Sequence, residues 1–320
     1  MLHIIVNPAS KSGLGKTRWE ELKQELNKHS IVYQVYFTQK KTGAAGCVDT
    51  ILENRSNATS ASHSGATDMH VICVLGGDGT MNEVTNALYK AIPDAKNVFA
   101  LAYLPTGSSN DLARSLHITP SYEDFITRVK KGTMQSTDTG LMTTPSGKKR
   151  QFCVSCGIGL DAATCKEALN SKLKDILNRI GLGKLTYAGI ALKQLISAPV
   201  ADCDVILADG TVHHLEKFLF GVAMIHPYEG GGIKFAPHAS CTDGEFDICI
   251  VAGLRKWRAL YLLPLAFFGK HVGKKSVYMF KSSSVTFKTG KPLVVHTDGE
   301  YAGTRQEITL TCQQNNLNFI

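Results

Sequence analysis

The sequence predicts an α/β layered domain followed by a β-sandwich domain. Three observations predict it. Strand, small-residue loop and helix recur in series through the first third of the chain. Beyond about Gly132 they give way to many short alternating segments of the kind that build sandwiches. The length, 320 residues, exceeds what a single core usually supports.

In order along the chain, the apolar run 2–6 reads as a strand and 7–16 as a small-residue loop. Trp19, Leu22 and Leu26 then share one face of a helix. Residues 31–38 alternate as a second strand, a helix is expected near 44–54, and 56–68 is polar enough to be a loop. The continuous apolar run 71–75 suits a strand covered on both faces of a parallel sheet. Gly76-Gly77-Asp78-Gly79-Thr80 follows at once. Next come a helix over 81–92 with Val84, Leu88 and Ile92 in phase, a strand over 99–104 and a second small-residue loop over 105–111. Past the change of character, strands are expected at 152–156, 204–207, 218–224, 246–251, 277–280, 285–287, 293–295 and 308–311. A helix over 173–196 interrupts them.

Strand, glycine loop and helix in that order bring freed backbone N–H groups and a positive helix end to one point, where a phosphate could sit. A tight turn without a ligand is the plainer alternative, but packing does not explain the carboxylate of Asp78 or the hydroxyl of Thr80. Residues 10–17 read SKSGLGKT and end like a Walker A motif, yet Ser10 stands where its first glycine belongs. Asn7, Ser10 and Lys16 remain candidates for a phosphate-facing loop. The third loop, LPTGSSND at 104–111, combines glycine, hydroxyls and a carboxylate. Helix capping by Ser109, Asn110 or Asp111 explains part of it.

With 43% hydrophobic and 19% charged residues and a mean hydropathy of -0.04, the chain is not of the disordered class. The net charge of +8 is spread in clusters such as Lys40-Lys41, Lys130-Lys131, Lys148-Lys149-Arg150 and Lys274-Lys275. These are solvated surface or a means of attraction to anionic lipid or phosphate. Without zinc-finger spacing or an aromatic-interleaved basic stripe, nucleic acid is not expected as a partner. Nine cysteines and no basic-then-apolar leader at Met1 suggest reduced thiols in a cytoplasmic protein. Cys153 and Cys156 are expected on opposite faces of one strand, which argues against a metal or redox pair. No apolar run reaches the roughly 18 residues that cross a bilayer. The nearest, 257–268, is interrupted by Pro264 and reads as a core helix or as a segment lying against a membrane surface.

Asn7-Pro8-Ala9-Ser10 with Gly13 and Gly15, GGDGTMNEV at 76–84 and PTGSSNDLAR at 105–114 together resemble the diacylglycerol kinase catalytic family. That family includes bacterial lipid kinases and the sphingosine and ceramide kinases. The likeness continues in order through GIGLDA at 157–162, Gly230-Gly231-Gly232 with APHA at 236–239, DGEFD at 243–247 and HTDGE at 296–300. GGDGT alone is also carried by NAD kinases and phosphofructokinases; the later motifs favour lipid kinases. Two departures stand out, Ser108 in place of the usual threonine and His226 where asparagine is more common. A neutral, hydrogen-bonded structural histidine is the plain reading of the second.

The resemblance implies a three-layer, Rossmann-like nucleotide domain over 1–133, to which the chain end at about 312–320 returns, and a β-sandwich over 134–311 with the lipid pocket. It implies ATP and Mg2+ as cofactors and phosphoryl transfer to a lipid hydroxyl, diacylglycerol first, then phosphatidylglycerol, a monoacylglycerol or a sphingoid base. It also implies peripheral association with a membrane surface, and a homodimer is compatible with it. The ATP-contacting set it gives is Asn7, Ser10, Gly13, Thr38 on the adenine side, Gly76, Gly77, Asp78, Gly79, Thr80, Glu83, Gly107, Ser108 and Asn110. A soluble-metabolite kinase of NAD-kinase type and a non-catalytic lipid-binding regulator are the competing classes.

Moving a γ-phosphoryl group to an alcohol needs charge neutralisation, in-line positioning and an acceptor for the hydroxyl proton. Asp298 and Glu300 flank Gly299 after an apolar strand, and in an extended segment residues i and i+2 point to one side. The resemblance offers Asp298, Glu300 or Asp78 as the proton acceptor; the working assignment is Asp298 or Glu300, with Asp78 organising magnesium and phosphates. The carboxylate density of residues 242–247, including Asp243 and Asp247, suggests magnesium or calcium, against an Asp-Gly hairpin turn. By resemblance a structural magnesium maps to the carboxylate of Asp243 and the carbonyls of Ser240 and Glu245, with Asp111 helping to brace it. Asp161 belongs to the acceptor pocket or is a buried aspartate bonded to nearby backbone.

Overall fold

The computed structural model describes residues 1–61, 69–170, 189–190, 193–195, 197 and 199–320. Most of the expected helix over 173–196, and residues 62–68 of the expected loop, lie outside the described residues. The chain divides into two compact units, Met1–Thr137 with Asn316–Ile320, and Asp138–Asn315. The expected boundaries at 133/134 and 311/312 fall slightly short of these divisions.

The first unit is a parallel sheet with helical connections. Its order along the chain is β1 (Leu2–Val6), α1 (Ser10–Lys28), β2 (Tyr33–Phe37), α2 (Ala45–Ala61), β3 (His70–Gly76), α3 (Asp78–Ala91), β4 (Phe99–Pro105), α4 (Asp111–Ser115) and α5 (Tyr122–Lys131). The strands lie side by side as β4-β3-β1-β2, all parallel. The chain leaves β1 for β2 on one side and returns to β3 on the other, so the switch point of the sheet lies between β1 and β3. In open sheets of this kind ligands bind outside the carboxyl ends of the strands at the switch point. All five residues of β1 and all seven of β4 are buried. Trp19, Leu22 and Leu26 of α1 pack with Phe125 of α5 on Ile4, Val6, Leu75 and Leu104. The chain end adds a further parallel pairing, Phe319 with Leu101, and Arg128 Nη1 donates to the Ile320 carbonyl at 2.6 Å.

Three boundaries differ from the expectation. α1 begins at Ser10, so the loop expected over 7–16 shrinks to Asn7-Pro8-Ala9, and the helix starts irregularly, with φ +44° at Lys11 and +101° at Gly13. α2 runs on to Ala61, so 56–61 are helical where a loop was expected. α3 opens at Asp78, which puts Asp78, Gly79 and Thr80 in its first turn.

The second unit is antiparallel. Its elements are β5 (Gln135–Thr143) from Asp138 on, β6 (Lys149–Phe152), β7 (Ser155–Gly159), α6 (Leu160–Asn170), β8 (Ala201–Leu207), β9 (Val212–Phe218), β10 (Phe220–Met224), β11 (Phe246–Val251), a 3-10 helix (Lys256–Tyr261), α7 (Leu262–Phe267), β12 (Val277–Ser282), β13 (Ser284–Thr297) and β14 (Glu300–Phe319) as far as Asn315. β13 pairs with β8 through Val285–Thr289, with β7 through Val295–Thr297, and with β14 along its length past two register shifts. It therefore serves both β12-β11-β10-β7 and β9-β8. β10 is buried on both faces with period two. Ala223 joins Phe152, Phe246, Phe287 and Val295 in one core, while Phe220, Val222 and Met224 join Phe235, Val251 and Leu262 in another.

The strand expected over 152–156 is broken at Cys153-Val154, so the two cysteines do not share a strand. All nine cysteines are free thiols, and burial pushes those of Cys73, Cys203 and Cys249 up to about 12. In residues 257–268 the helix is short, a 3-10 turn leading into α7, with Leu262 and Ala266 buried. No described helix is long and apolar enough to cross a membrane.

Candidate active site

In the first unit the carboxyl ends of β1, β3 and β4 deliver three loops that side chains tie together. Asn7 donates from Nδ2 to Thr80 Oγ1 at 3.0 Å, and its Oδ1 accepts the Ala9 N–H at 3.1 Å. Ser10 Oγ and Thr106 Oγ1 are 2.7 Å apart and buried, and the Thr106 N–H donates to the Gly76 carbonyl at 2.7 Å. Asp78 joins the second loop to the third: Oδ2 accepts the Asp111 N–H at 2.9 Å, and Oδ1 accepts the Leu112 N–H at 3.4 Å and the Tyr103 hydroxyl at 3.2 Å. Burial and the Asp78 carboxylate hold the Tyr103 phenol well above its ordinary range, so it stays a donor. Asp78 thus has a structural duty that sequence did not suggest, to satisfy the first N–H groups of α4. Asp111 itself is buried and paired with Arg114.

Two glycines make the cradle physically possible. A Cβ on Gly107 would stand 2.6 Å from the Gly77 Cα and 2.7 Å from Asn110 Oδ1, so the two loops touch backbone to backbone. A Cβ on Gly15 would stand 2.0 Å from the Asn7 carbonyl oxygen. Neither α1 nor α3 has a side-chain N-cap; Ala9 and Gly77 occupy those positions. The dipoles at these helix starts suit an anion. Asn110 holds the third loop in a left-handed turn, φ +51°, and donates to the Gly107 carbonyl at 3.1 Å, while Ser108 is exposed. Glu83 reaches sideways, accepting the Ala44 N–H at 2.7 Å. Thr38 follows β2, its N–H on the Val6 carbonyl at 2.9 Å. Lys16 is exposed on α1 and makes none of these connections.

In the second unit Asp298 and Glu300 do not lie in one extended segment, which corrects the i, i+2 reading. Thr297 pairs with Glu300 across a two-residue hairpin, with φ +50° at Asp298 and +80° at Gly299. Asp298 turns inward: Oδ2 accepts the Cys153 N–H at 2.8 Å, and Oδ1 accepts those of Val154 and Ser155 at 2.7 and 3.1 Å. Its own N–H donates to the Ser155 carbonyl at 2.9 Å. This clamp breaks the strand at Cys153-Val154 and engages both oxygens, so Asp298 anchors the hairpin. Glu300 is half-buried at the start of β14.

A cluster that the sequence did not reveal lies behind the same hairpin. His296, fully buried, accepts the Gly299 N–H on Nδ1 at 3.1 Å, which leaves its ring proton on Nε2. Nε2 lies 2.7 Å from Asp161 Oδ2 and 3.0 Å from Glu229 Oε1. Burial together with the Asp161 charge raises the Glu229 carboxyl above its ordinary range. Gly157 makes room: a Cβ there would be 2.4 Å from Nε2 and 2.6 Å from Asp161 Oδ2. Asp161, Cys165, Glu229 and His296 have the donor atoms of a metal site, but the Nε2 proton fits proton sharing and not ligation. Asp161, Thr164 and His271 also line a pocket whose other walls are mainly apolar, among them Phe220, Phe235, Leu263 and Phe267. His226 is buried, and burial lowers it to about 4. It is neutral as expected, but its Nε2 lacks a hydrogen-bond partner.

The acidic turn at 242–247 is held by several protein partners. Asp138 accepts the Gly244 N–H at 2.7 Å and the Asn315 N–H at 2.8 Å. Asp243 accepts the Glu245 N–H at 3.1 Å on Oδ1 and pairs with Lys281 Nζ at 2.7 Å on Oδ2. Carboxylate and carbonyl donors suit a hard cation in kind, yet the Lys281 ammonium already meets Asp243. Of the expected set of Ser240, Asp243 and Glu245, the Asp243 carboxylate is thus engaged by Lys281, and Asp111, in the first unit, pairs with Arg114.

Residues 1–142 match the family of the diacylglycerol kinase catalytic domain, and residues 154–319 that of the YegS C-terminal NAD kinase beta sandwich-like domain. YtlR of Bacillus subtilis (strain 168), whose name proposes a lipid kinase, is 31% identical over 311 residues, covering 94% of this chain and 93% of its own. A diacylglycerol kinase of Staphylococcus saprophyticus is 26% identical over 300 residues, covering 94% of this chain and 88% of its own. Among solved structures, a diacylglycerol kinase from Bacillus anthracis str. Sterne superposes with a TM-score of 0.66 at 18% identity, over 100% of this chain and 96% of that one, a likeness of fold.

Proposed function

The chain belongs to the diacylglycerol kinase family and is a kinase with an alcohol acceptor, and from that premise we propose that it transfers the γ-phosphoryl group of ATP to the hydroxyl of diacylglycerol. The observation that carries the choice of acceptor is the largely apolar pocket of the second unit, with Asp161, Thr164 and His271 as its polar groups. Such a lining suits an acyl chain with a hydroxyl-bearing head and does not suit a soluble dinucleotide.

The first unit supplies the donor cradle. The N–H groups at the starts of α1 and α3 neutralise phosphate charge, and the Gly77–Gly107 approach removes the side chains that would block it. Asn7, Thr80, Ser10 and Thr106 fix the three loops relative to one another, so little reorganisation is needed on binding. Magnesium, when bound with the nucleotide, supplies charge neutralisation at the phosphates. Within the second unit Glu300 accepts the hydroxyl proton, because Asp298 has spent both oxygens on the backbone. Wild-type protein incubated with ATP, magnesium and dispersed diacylglycerol should form phosphatidic acid. Phosphorylation of NAD in place of lipid would reject the assignment.

A further inference from the structure

Residues 255–278 of the second unit expose an unusual share of the apolar surface. Leu260, Tyr261, Phe268, Val272 and Tyr278 are 42%, 49%, 72%, 37% and 38% exposed, five of the eleven large hydrophobic side chains exposed among the described residues. The same stretch contains Arg255, Lys256, Arg258, Lys270, Lys274 and Lys275, and no aspartate or glutamate. Clustered exposed apolar side chains mark an interaction surface, whereas single ones need no explanation. The patch also continues into the pocket: Leu260 is both exposed and part of its lining, and Phe267 and Val277, each adjoining an exposed residue, line it too.

We propose that residues 255–278 form a docking surface for an anionic lipid bilayer, and that the rim of the pocket is part of it. The pairing of apolar side chains with an all-basic charge set is what binds the interface of such a membrane, the first by burial among acyl chains and the second by attraction to headgroups. A second copy of this chain is the wrong occupant, because a two-fold contact would set six basic residues against six. The core of a protein interface is also depleted in lysine. The choice of a bilayer rests on the lipid-kinase reading, since an acceptor held in a membrane must pass from it into the pocket.

The test is co-sedimentation of the full chain with phosphatidylcholine vesicles, with and without phosphatidylserine. Wild type should bind the anionic vesicles more tightly and release from them as salt rises. K274A/K275A should lose roughly 30-fold in affinity for anionic vesicles only, as expected for two basic residues at such a surface. F268S should lose roughly tenfold on both vesicle types. Turnover of a short-chain acceptor dissolved as monomers should be unchanged in K274A/K275A, which also reports that the variant is folded. Equal wild-type binding to both vesicle types, wild-type affinity in the double variant, or a lipid-free dimer that F268S dissociates would overturn the inference. Lipid phosphorylation without vesicle binding would sink this surface alone, and vesicle binding without phosphate transfer to any lipid would sink the kinase assignment and leave the surface standing.

Discussion

Replacing Asp298 by asparagine should unfold the hairpin more than it harms the chemistry. Asparagine tolerates the left-handed φ of +50° at this position, so the substitution isolates the carboxylate. The carboxylate accepts three backbone N–H groups at 2.7 to 3.1 Å, and hydrogen bonds to a charged acceptor contribute about 1.5–3 kcal/mol each. The amide keeps one oxygen, enough for Val154 and Ser155, but turns its NH2 toward the Cys153 N–H. One charge-assisted bond is lost and one buried donor is stranded, about 4 kcal/mol in all. For a unit of this size that lowers Tm by about 10 °C. Glu300→Gln should leave stability within about 0.5 kcal/mol and reduce turnover by roughly 10²- to 10⁴-fold, the usual worth of a general base. Thermal denaturation and lipid phosphorylation at 25 °C, run on both variants, separate the roles. Wild-type melting with lost turnover in D298N, and retained turnover in E300Q, would refute the reasoning.

Gly107→Ala should abolish ATP binding, read by fluorescent-nucleotide titration, because its Cβ meets the Gly77 Cα at 2.6 Å; Gly132→Ala, with nothing near its Cβ but φ +62°, should cost only about 1 kcal/mol of stability. Gly157→Ala should destabilise the second unit by about 1–3 kcal/mol, the usual cost of overpacking a filled core, since its Cβ intrudes on His296 and Asp161; a wild-type melting temperature would contradict the packing described. His226, lowered from 6.5 to about 4 by burial, adds about 3 kcal/mol of stability that is complete above pH 6.5 and lost as pH falls through about 4. Chemical denaturation of His226→Asn between those pH values should therefore show a flatter pH dependence than wild type.

The parallel sheet was readable because buried strands on both faces leave continuous apolar runs, as at 71–75, and the loops after them carry their glycines openly. Helix starts were harder. Asp78-Gly79-Thr80 looks like loop by composition, yet it lies in the first turn of α3, where Asp78 reaches across to cap another helix. The hairpin at Asp298-Gly299 had a readable sign, an Asp-Gly pair between apolar strands, which outweighs the i, i+2 argument. What Asp298 grips could not be read, since its partners lie about 145 positions away. Glu229 was hidden by the glycines beside it, and His296 by its place in a motif. A histidine directly after the apolar run 293–295 was the available signal, because a buried ring must find partners. Lys281 reaches the acidic turn only through the β11–β12 register, in which it pairs with Asp247, and no local pattern reports register between separate strands.

The central claim is that this chain moves phosphate from ATP to a lipid hydroxyl with Glu300 as the base. Incubation with γ-labelled ATP, magnesium and a total membrane lipid extract tests it most directly. The account predicts label in phosphatidic acid with wild type and D298N, and almost none with E300Q. Label confined to a water-soluble product, or undiminished lipid labelling by E300Q, would contradict it.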